Sequence, residues 1–178
     1  MSGKGLLHLY VGNGKGKSTA AAGLAFRMAG NGFHVFFAQF LKSMPSGEIE
    51  AFKQFGGMVA VFRPFMRHKA FIWNQTPEQR EETAADLAAG WHLFCGKLHD
   101  ASIRLFVFDE LLDVLEMGFL DEGFVMDALK SRHPEAEVVL TGRHASASLT
   151  EMADYVTEMT VIKHPYEKGT PARRGVEY

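Results

Sequence analysis

One stretch of this chain constrains its fold more than any other: residues 11–19 read VGNGKGKST. The stretch follows an apolar run at 6–10 and precedes an alanine-rich segment, a pattern that predicts a strand, a tight turn and a helix. Glycines let the backbone N–H groups of such a turn point inward, and the following helix adds the positive end of its dipole. The sequence therefore predicts a cradle for the phosphates of a nucleoside triphosphate; the alternative is a glycine-rich turn without a ligand.

The residues of this cradle have separate expected roles. Lys17 is expected to neutralise phosphate charge, and the hydroxyl of Ser18 is expected to bind Mg²⁺. The usual pattern, G-x-x-x-x-G-K-[ST], places its first glycine at position 11, where this chain has Val11 and carries the glycine one residue later. Such loops serve kinases, ATPases, switches and other transferases, so the loop alone does not define the reaction. The residues predicted to contact the nucleotide are Gly12, Asn13, Gly14, Lys15, Gly16, Lys17, Ser18 and Thr19.

Composition and charge narrow the class of protein. With 178 residues the chain is expected to form a single domain, 1–178, whose core is large enough to be stable without disulfides. Its formal net charge is −2 and it has no run of lysine or arginine, which argues against nucleic acid as a partner. No apolar segment reaches the length of a membrane span or a signal sequence. We therefore expect a soluble cytoplasmic protein that binds neither nucleic acid nor membrane.

Hydrophobic patterns predict strands and helices that alternate along the chain. Strands are expected at 6–10, 33–38, 58–62, 103–108, 137–140 and 155–161, and helices at 19–29, 46–55, 76–98, 120–132 and 148–153. Several strand segments are continuously apolar, as in a parallel sheet that is covered on both faces. The predicted fold is therefore α/β: a phosphate-loop NTPase-like domain with a mostly parallel central sheet of five to six strands and helices on both faces.

The helix at 76–98 has the clearest local signals. Thr76 is expected to cap it, Pro77 to stand at its first position, and Gln79 to complete a capping box. Leu87, Trp91, Phe94 and Leu98 recur at helical spacing and are expected to face the core. Cys95, the only cysteine of the chain, lies beside them and is expected to be an inert apolar residue rather than a nucleophile.

Polar residues follow three of the predicted strands. Asp109 and Glu110 follow the fourth strand, where carboxylates can hold Mg²⁺ or its waters; the alternative is a cap for the helix that begins near Leu111. Arg143 follows the fifth strand and is expected either to bind phosphate or to form a surface salt bridge. Residues 39–42 follow the second strand. Because ligands bind outside the carboxyl ends of strands in open α/β sheets, these positions predict one site.

The closing part of the chain carries a further signal. Segments 140–143, 153–159, 163–164 and 175–178, with Gly169 and Ala172, resemble nearly in register the ending of the ATP:corrinoid adenosyltransferases. That family also carries GNGKGK followed by Ser or Thr, without the leading glycine, and residues 39–42 with Gly47 and Glu48 resemble its next motif. The resemblance covers essentially the whole chain.

The resemblance implies a reaction. The family transfers the 5′-deoxyadenosyl group of ATP to the cobalt of a reduced Co(I) corrinoid, of the cobalamin or cobinamide type, and releases triphosphate. Because Co(I) is itself the nucleophile, such a protein supplies position and positive charge. The catalytic residues would be Lys15, Lys17 and Arg143, and the ligands of Mg²⁺ or Mn²⁺ would be Ser18, Asp109 and Glu110. A flavoprotein-type reductant and a second copy of the chain, in a homodimer, are the implied partners.

The family also places a Phe-x-Trp pair in the loop before its long helix. Phe71 and Trp73 match that pair, and the resemblance implies that they bind the corrinoid and shield the lower face of cobalt. The alternative is that both fill the hydrophobic core. Family members often carry a glycine-flanked acidic residue before the pair, where this chain has His68, Lys69 and Ala70 and a more basic loop.

Two other functions are compatible with the phosphate loop. One is a small-molecule kinase or ATPase on the same fold, which would release ADP. The other is a non-catalytic carrier of nucleotide or corrinoid, which would bind its ligands without turnover.

Overall fold

Six parallel strands form one sheet in the computed structural model, which describes residues 3–42, 46–64, 66–68 and 72–176. The strands are β1 (Leu7–Val11), β2 (His34–Gln39), β3 (Val59–Phe62), β4 (Ile103–Asp109), β5 (Glu137–Thr141) and β6 (Tyr155–Glu158). Their order across the sheet is β3-β2-β4-β5-β1-β6, and every pair is parallel. The predicted α/β class with a parallel central sheet is confirmed.

Helices cover both faces of the sheet. The α-helices of the described residues are α1 (Lys17–Gly30), α2 (Gly47–Phe52), α3 (Pro77–Lys97), α4 (Leu111–Glu116), α5 (Glu122–Lys130) and α6 (Ala147–Met152). Short 3-10 turns occur at Lys53–Phe55, Ile72–Asn74 and Pro165–Lys168. On one face, alanines of α1 and Phe52 of α2 pack against Phe37 and Val107 of the central strands. On the other, α3, α4 and α5 pack against Phe36, Phe106 and Phe108, so the sheet is buried on both sides.

The predicted start and core face of α3 are confirmed. The Thr76 hydroxyl accepts a hydrogen bond from the Gln79 backbone N–H, and the Gln79 side chain accepts one from the Thr76 N–H. The residues predicted to face the core are at most 1 % exposed: Leu87, Trp91, Phe94 and Leu98. Cys95 is partly buried, and burial raises the pKa of its thiol, as expected of an unreactive cysteine.

Several predicted boundaries were wrong. The expected strand at 155–161 ends at Glu158, and the expected helix at 46–55 is α-helical only over Gly47–Phe52. The helix expected at 120–132 begins at Glu122, because Asp121 caps it by accepting a hydrogen bond from the Phe124 N–H. Among the described residues, none of the helices combines the length and apolar character needed to cross a membrane.

Candidate functional site

The phosphate loop is held by backbone contacts with the segment that follows β6. The Met159 N–H donates to the Val11 carbonyl, and the Met159 carbonyl accepts from the Gly14 N–H at 2.7 Å. A Cβ atom on Gly12 would overlap the Met159 carbonyl oxygen, and one on Gly14 would lie 2.6 Å from it. Close approach of two backbones therefore requires glycine at positions 12 and 14.

The same contacts explain the displaced first glycine. Val11 pairs with Glu158 in the parallel ladder, so β1 continues one residue further than the sequence predicted. An extended strand residue needs no glycine, and the turn begins only at Gly12, whose φ is 103°. The second positive-φ position of the loop is Gly16 (φ 120°), which caps α1.

The start of α1 is prepared for an anion. Its first turn contains no acidic residue, and its cap residue, Gly16, has no side chain that could bond to the first N–H groups. Lys17 folds back over the loop, where its ammonium donates to the carbonyls of Gly12 at 2.6 Å and Gly14 at 2.9 Å. Burial lowers the pKa of Lys17. The positive end of the helix and this ammonium therefore face the same side of the loop.

A notch lies where β2, β4 and β5 end beside the start of α1. Asp109 is fully buried there, and its Oδ1 accepts a hydrogen bond from the Thr141 hydroxyl at 2.7 Å. The Lys42 ammonium donates to Asp109 Oδ2 at 2.6 Å and to the Ser18 hydroxyl oxygen at 3.1 Å. Ser18 and Asp109, both predicted metal ligands, are thus brought to the two sides of one cation. We define the Asp109–Ser18 notch by these two residues.

Glu110, the third predicted metal ligand, lies at the mouth of the notch. Its carboxylate Oε1 is 3.9 Å from the Lys42 ammonium. Burial raises the pKa of Glu110 to about 7; the charge of Lys42 opposes this rise, and those of Asp109 and Asp113 add to it. Glu110, rather than Asp109, occupies the cap position of α4 and makes no side-chain capping bond, so the alternative role of Asp109 as the helix cap is wrong.

Arg143 reaches the same rim from the end of β5. Its Nε donates to Asp113 Oδ1 at 3.1 Å, and its side chain is 55 % exposed. The chain lies against α4 at this point: a Cβ on Gly142 would be only 2.5 Å from Leu112 Cβ. The salt bridge that the sequence allowed is therefore formed, and Arg143 also lines a cavity at this rim.

These elements surround an open cavity of about 830 Å³. Its lining includes Asn13 to Thr19 of the phosphate loop, Lys42, Glu110 and Arg143. Met66, His68 and Ile72 contribute from the segment between β3 and α3, and His164, Gly175 and Val176 contribute from the tail. A volume in the range of ligand pockets leaves room beyond a phosphate chain.

The segment between β3 and α3, which we call the 63–76 segment, is attached to α3 by side chains. Arg67 donates from Nη2 to Asp86 Oδ1 at 2.7 Å and from its backbone N–H to Oδ2 at 2.9 Å. His68 Nε2 is hydrogen-bonded to Glu82, and Pro64 lies so close to Gly90 that a Cβ there would be 2.9 Å from Pro64 Cβ. The Arg67 hydrogen bonds hold the pKa of Asp86 below its ordinary value.

The predicted corrinoid pair lies in this segment. Phe71 is outside the described residues. Trp73 belongs to the 3-10 turn Ile72–Asn74, whose first residue lines the cavity. The roles of Phe71 and Trp73 therefore stay predictions.

Sequence reasoning missed three residues of the site. Lys42 was expected near a ligand, but not as the partner of Asp109, which lies 67 positions away in the chain. Arg63 donates to Gln39 Oε1 at 2.7 Å, and Met159 seats the phosphate loop. Strand order would have located them, since it sets which strand ends are neighbours: β2 beside β4 for Lys42, β3 beside β2 for Arg63, and β6 beside β1 for Met159.

Comparisons with known proteins identify the family of the chain. The sequence model of the family "ATP:corrinoid adenosyltransferase BtuR/CobO/CobP" matches residues 3–178. A corrinoid adenosyltransferase of Pseudomonas aeruginosa is 36 % identical over 176 residues, which cover 98 % of this chain and 84 % of that protein. One from Sinorhizobium sp is 36 % identical, covering 98 % and 81 %, and the corrinoid adenosyltransferase CobA of Salmonella typhimurium is 33 % identical, covering 98 % and 86 %. The chain belongs to the ATP:corrinoid adenosyltransferase family.

Proposed function

We propose that this protein transfers the 5′-deoxyadenosyl group of ATP to the cobalt of a Co(I) corrinoid. The observation that carries the proposal is the match of the family over residues 3–178, in a chain whose phosphate loop opens into a cavity of about 830 Å³. In this reaction an electron pair of Co(I) forms a bond to C5′ of ATP while the bond from C5′ to oxygen breaks. Both electrons of that bond leave with triphosphate, and cobalt becomes formally Co(III).

The protein's part in this step is to hold the leaving group. The start of α1 and Lys17 present positive charge beside the loop, and Arg143 lines the same cavity. Lys15 lines the same cavity. We assign the catalytic roles to Lys15, Lys17 and Arg143, because charge placed in advance around the departing triphosphate lowers the barrier without a protein nucleophile.

We assign Ser18, Asp109 and Glu110 as the residues that would hold Mg²⁺ or Mn²⁺. The donor set fits a hard cation, since it consists of one hydroxyl and two carboxylates, and the Lys42 ammonium already lies within 3.1 Å of two of their oxygens. No group of three or more His, Cys, Asp or Glu side chains with metal-binding geometry occurs among the described residues. This suits Mg²⁺, which usually takes part of its shell from phosphates and water and would neutralise triphosphate charge when bound.

We place the corrinoid against the 63–76 segment. Met66, Ile72 and Met117 give the cavity an apolar wall beyond the phosphate loop. Phe71 and Trp73 flank Ile72 in sequence, and we propose that they exclude an axial ligand from cobalt. Cobalt without that ligand, in apolar surroundings, is easier to reduce from Co(II) to Co(I).

The remaining assignments concern the surroundings of the enzyme. A flavoprotein-type reductant would supply the electron for Co(I), and the protein would act in the cytoplasm as a single domain, 1–178. We further propose a homodimer. Supporting it, β6 is an edge strand that is exposed along its whole length, with Tyr155 and Val156 about half exposed.

The test is incubation with ATP, Mg²⁺ and a chemically reduced corrinoid. We expect the spectrum of a light-sensitive cobalt–carbon product together with release of triphosphate. ADP or phosphate without an alkylated corrinoid would contradict the proposal and favour a kinase or ATPase. Binding of both ligands without turnover would identify a carrier.

Two variants separate the assigned roles. Lys17→Ala should weaken use of ATP with every corrinoid, because it removes charge from the phosphate cradle. Trp73→Ala should retain transfer to pre-reduced Co(I) but impair the route that starts from Co(II). An equal loss in both assays for Trp73→Ala would point to damaged folding instead.

A further inference from the structure

Lys42 occupies the Asp109–Ser18 notch with its charged end. Its ammonium lies 2.6 Å from Asp109 Oδ2, 3.1 Å from the Ser18 hydroxyl oxygen and 3.9 Å from Glu110 Oε1. These three oxygens come from the three residues that we assign as ligands of Mg²⁺. The ammonium therefore stands in the place of the proposed metal.

The backbone on both sides of the notch is strained. Among the described residues, the non-glycine residues with a positive φ are Leu41, at 53°, and Glu110, at 66°. Leu41 directly precedes Lys42, and Glu110 directly follows Asp109. A hydrogen bond from the Phe40 N–H to the Asp109 carbonyl, at 2.9 Å, ties the two turns together. Strain of this kind persists only where the surrounding structure enforces it.

The notch needs a cation. Asp109 is fully buried, with one carboxylate oxygen bonded to Thr141 and the other to Lys42 and, at 3.3 Å, to the amide of Gln39. An ionised carboxylate that is buried without a positive partner is strongly disfavoured. Equally, an ammonium and a divalent ion cannot share a space bounded by the same two oxygens, because like charges repel at that distance.

We propose that Lys42 is a positioning residue that fills the Asp109–Ser18 notch in the protein alone and yields it to Mg²⁺ only when triphosphate is present. The oxygens of a bound triphosphate would offer the ammonium a new partner, and Ser18 and Asp109 would then be able to hold Mg²⁺. Metal and triphosphate then bind together, and Mg²⁺ alone binds poorly. This inference rests on the proposed function, since it uses the metal ligands assigned there.

The experiment measures the midpoint of thermal unfolding against Mg²⁺ concentration, without nucleotide, for wild type, Lys42→Gln and Lys53→Gln. Glutamine keeps a hydrogen-bond donor but removes the charge. Lys53 is the matched control, because it pairs with Glu50 on the exposed side of α2. Every Mg²⁺ point is compared with sodium chloride at equal ionic strength, which removes general screening.

We expect wild type and Lys53→Gln to show little Mg²⁺-specific change. Lys42→Gln should unfold at a lower temperature without Mg²⁺ and recover several degrees as Mg²⁺ fills the notch. Wild type that gains as much from Mg²⁺ as Lys42→Gln would overturn the proposal, and so would a Lys42→Gln protein that ignores Mg²⁺.

A second measurement tests the proposal without the Lys42→Gln variant. Electron paramagnetic resonance follows the binding of Mn²⁺ to wild type. Added inorganic tripolyphosphate should tighten this binding at least tenfold, after correction for the Mn²⁺ that tripolyphosphate binds without protein. Lys42→Arg, which retains the cation, should keep this coupling. Equal Mn²⁺ affinity with and without tripolyphosphate would refute the exchange. Adenosyl transfer by wild type is assayed separately, so its failure would count against the proposed function and not against the role of Lys42.

Discussion

The phosphate loop and the 63–76 segment both line the cavity, but different forces hold them. The phosphate loop is fixed by backbone hydrogen bonds to Met159 and by glycines that allow two backbones to touch. The 63–76 segment is fixed by side chains, through the pairs of Arg67 with Asp86 and His68 with Glu82. Backbone hydrogen bonds do not depend on the pH, whereas pairs of charged side chains depend on pH and on salt.

The difference matches the tasks that we assign to the two regions. A triphosphate that must leave along one path needs donors whose positions are fixed beforehand. The segment against which we place the corrinoid is held instead by the side chains of Arg67 and His68. Substitutions should reduce the free energy of unfolding strongly in the phosphate loop and weakly in the 63–76 segment.

The largest effect should come from Gly12→Ala. The new Cβ would overlap the Met159 carbonyl oxygen at a positive φ of 103°, and together these should cost about 3 kcal/mol or more of the free energy of unfolding. Urea unfolding measures this loss, and ATP binding should fail with it.

The matched control is Gly23→Ala, in the middle of α1. A Cβ there has no neighbour within 4 Å, so alanine should raise stability by about 0.5–1 kcal/mol through its helix propensity. If both substitutions had the same small effect, the idea that close backbone contact holds the phosphate loop would be wrong.

A smaller effect is expected from Asp86→Asn in the other region. The variant weakens the bonds from Arg67, and because Arg67 is 48 % exposed we expect a loss of about 1–2 kcal/mol. ATP binding should stay unchanged, while transfer to the corrinoid should fall. Fluorescence-monitored unfolding and the transfer assay measure the two quantities.

The pH dependence of this loss has a definite sign. Hydrogen bonds from Arg67 lower the pKa of Asp86 from its ordinary value of 3.8, so the native protein favours the ionised form. The contribution to stability is complete above about pH 4 and is lost as pH falls through the lower native pKa. The difference between wild type and Asp86→Asn should therefore shrink in acid. A difference that grew as pH fell would contradict the assigned pair.

Local patterns and contacts between distant residues differ in how far the sequence predicts them. The glycine loop, the start of α3 at Thr76 and the apolar face with Trp91 are local patterns, and their predicted structures are confirmed. Contacts that depend on strand order were missed, because hydrophobic periodicity does not say which strand lies beside which. Lys42 meets Asp109 only because β2 pairs with β4, and Met159 reaches the loop only because β6 pairs with β1.

The displaced glycine gives a third, smaller prediction. Val11→Gly would restore the glycine of the usual pattern, but Val11 is a paired strand residue. Glycine there should reduce stability by about 0.5–1 kcal/mol and leave the Michaelis constant for ATP unchanged. Steady-state kinetics and urea unfolding test this. Tighter ATP binding by the variant would show that position 11 belongs to the phosphate cradle after all.

The smallest effect should come from Glu82→Gln, which removes the partner of His68 in the 63–76 segment. Both side chains keep contact with solvent, so the pair should be worth less than about 1 kcal/mol, and added salt should remove most of it. Glu50→Gln, which breaks the exposed pair with Lys53, is the control for a pair outside the cavity. Both variants should unfold close to wild type, but only Glu82→Gln should alter transfer to the corrinoid. Glu82 also lies 3.8 Å from Arg67. If transfer were unchanged in Glu82→Gln and reduced in Asp86→Asn, the attachment of the segment would therefore depend on Asp86 and not on Glu82.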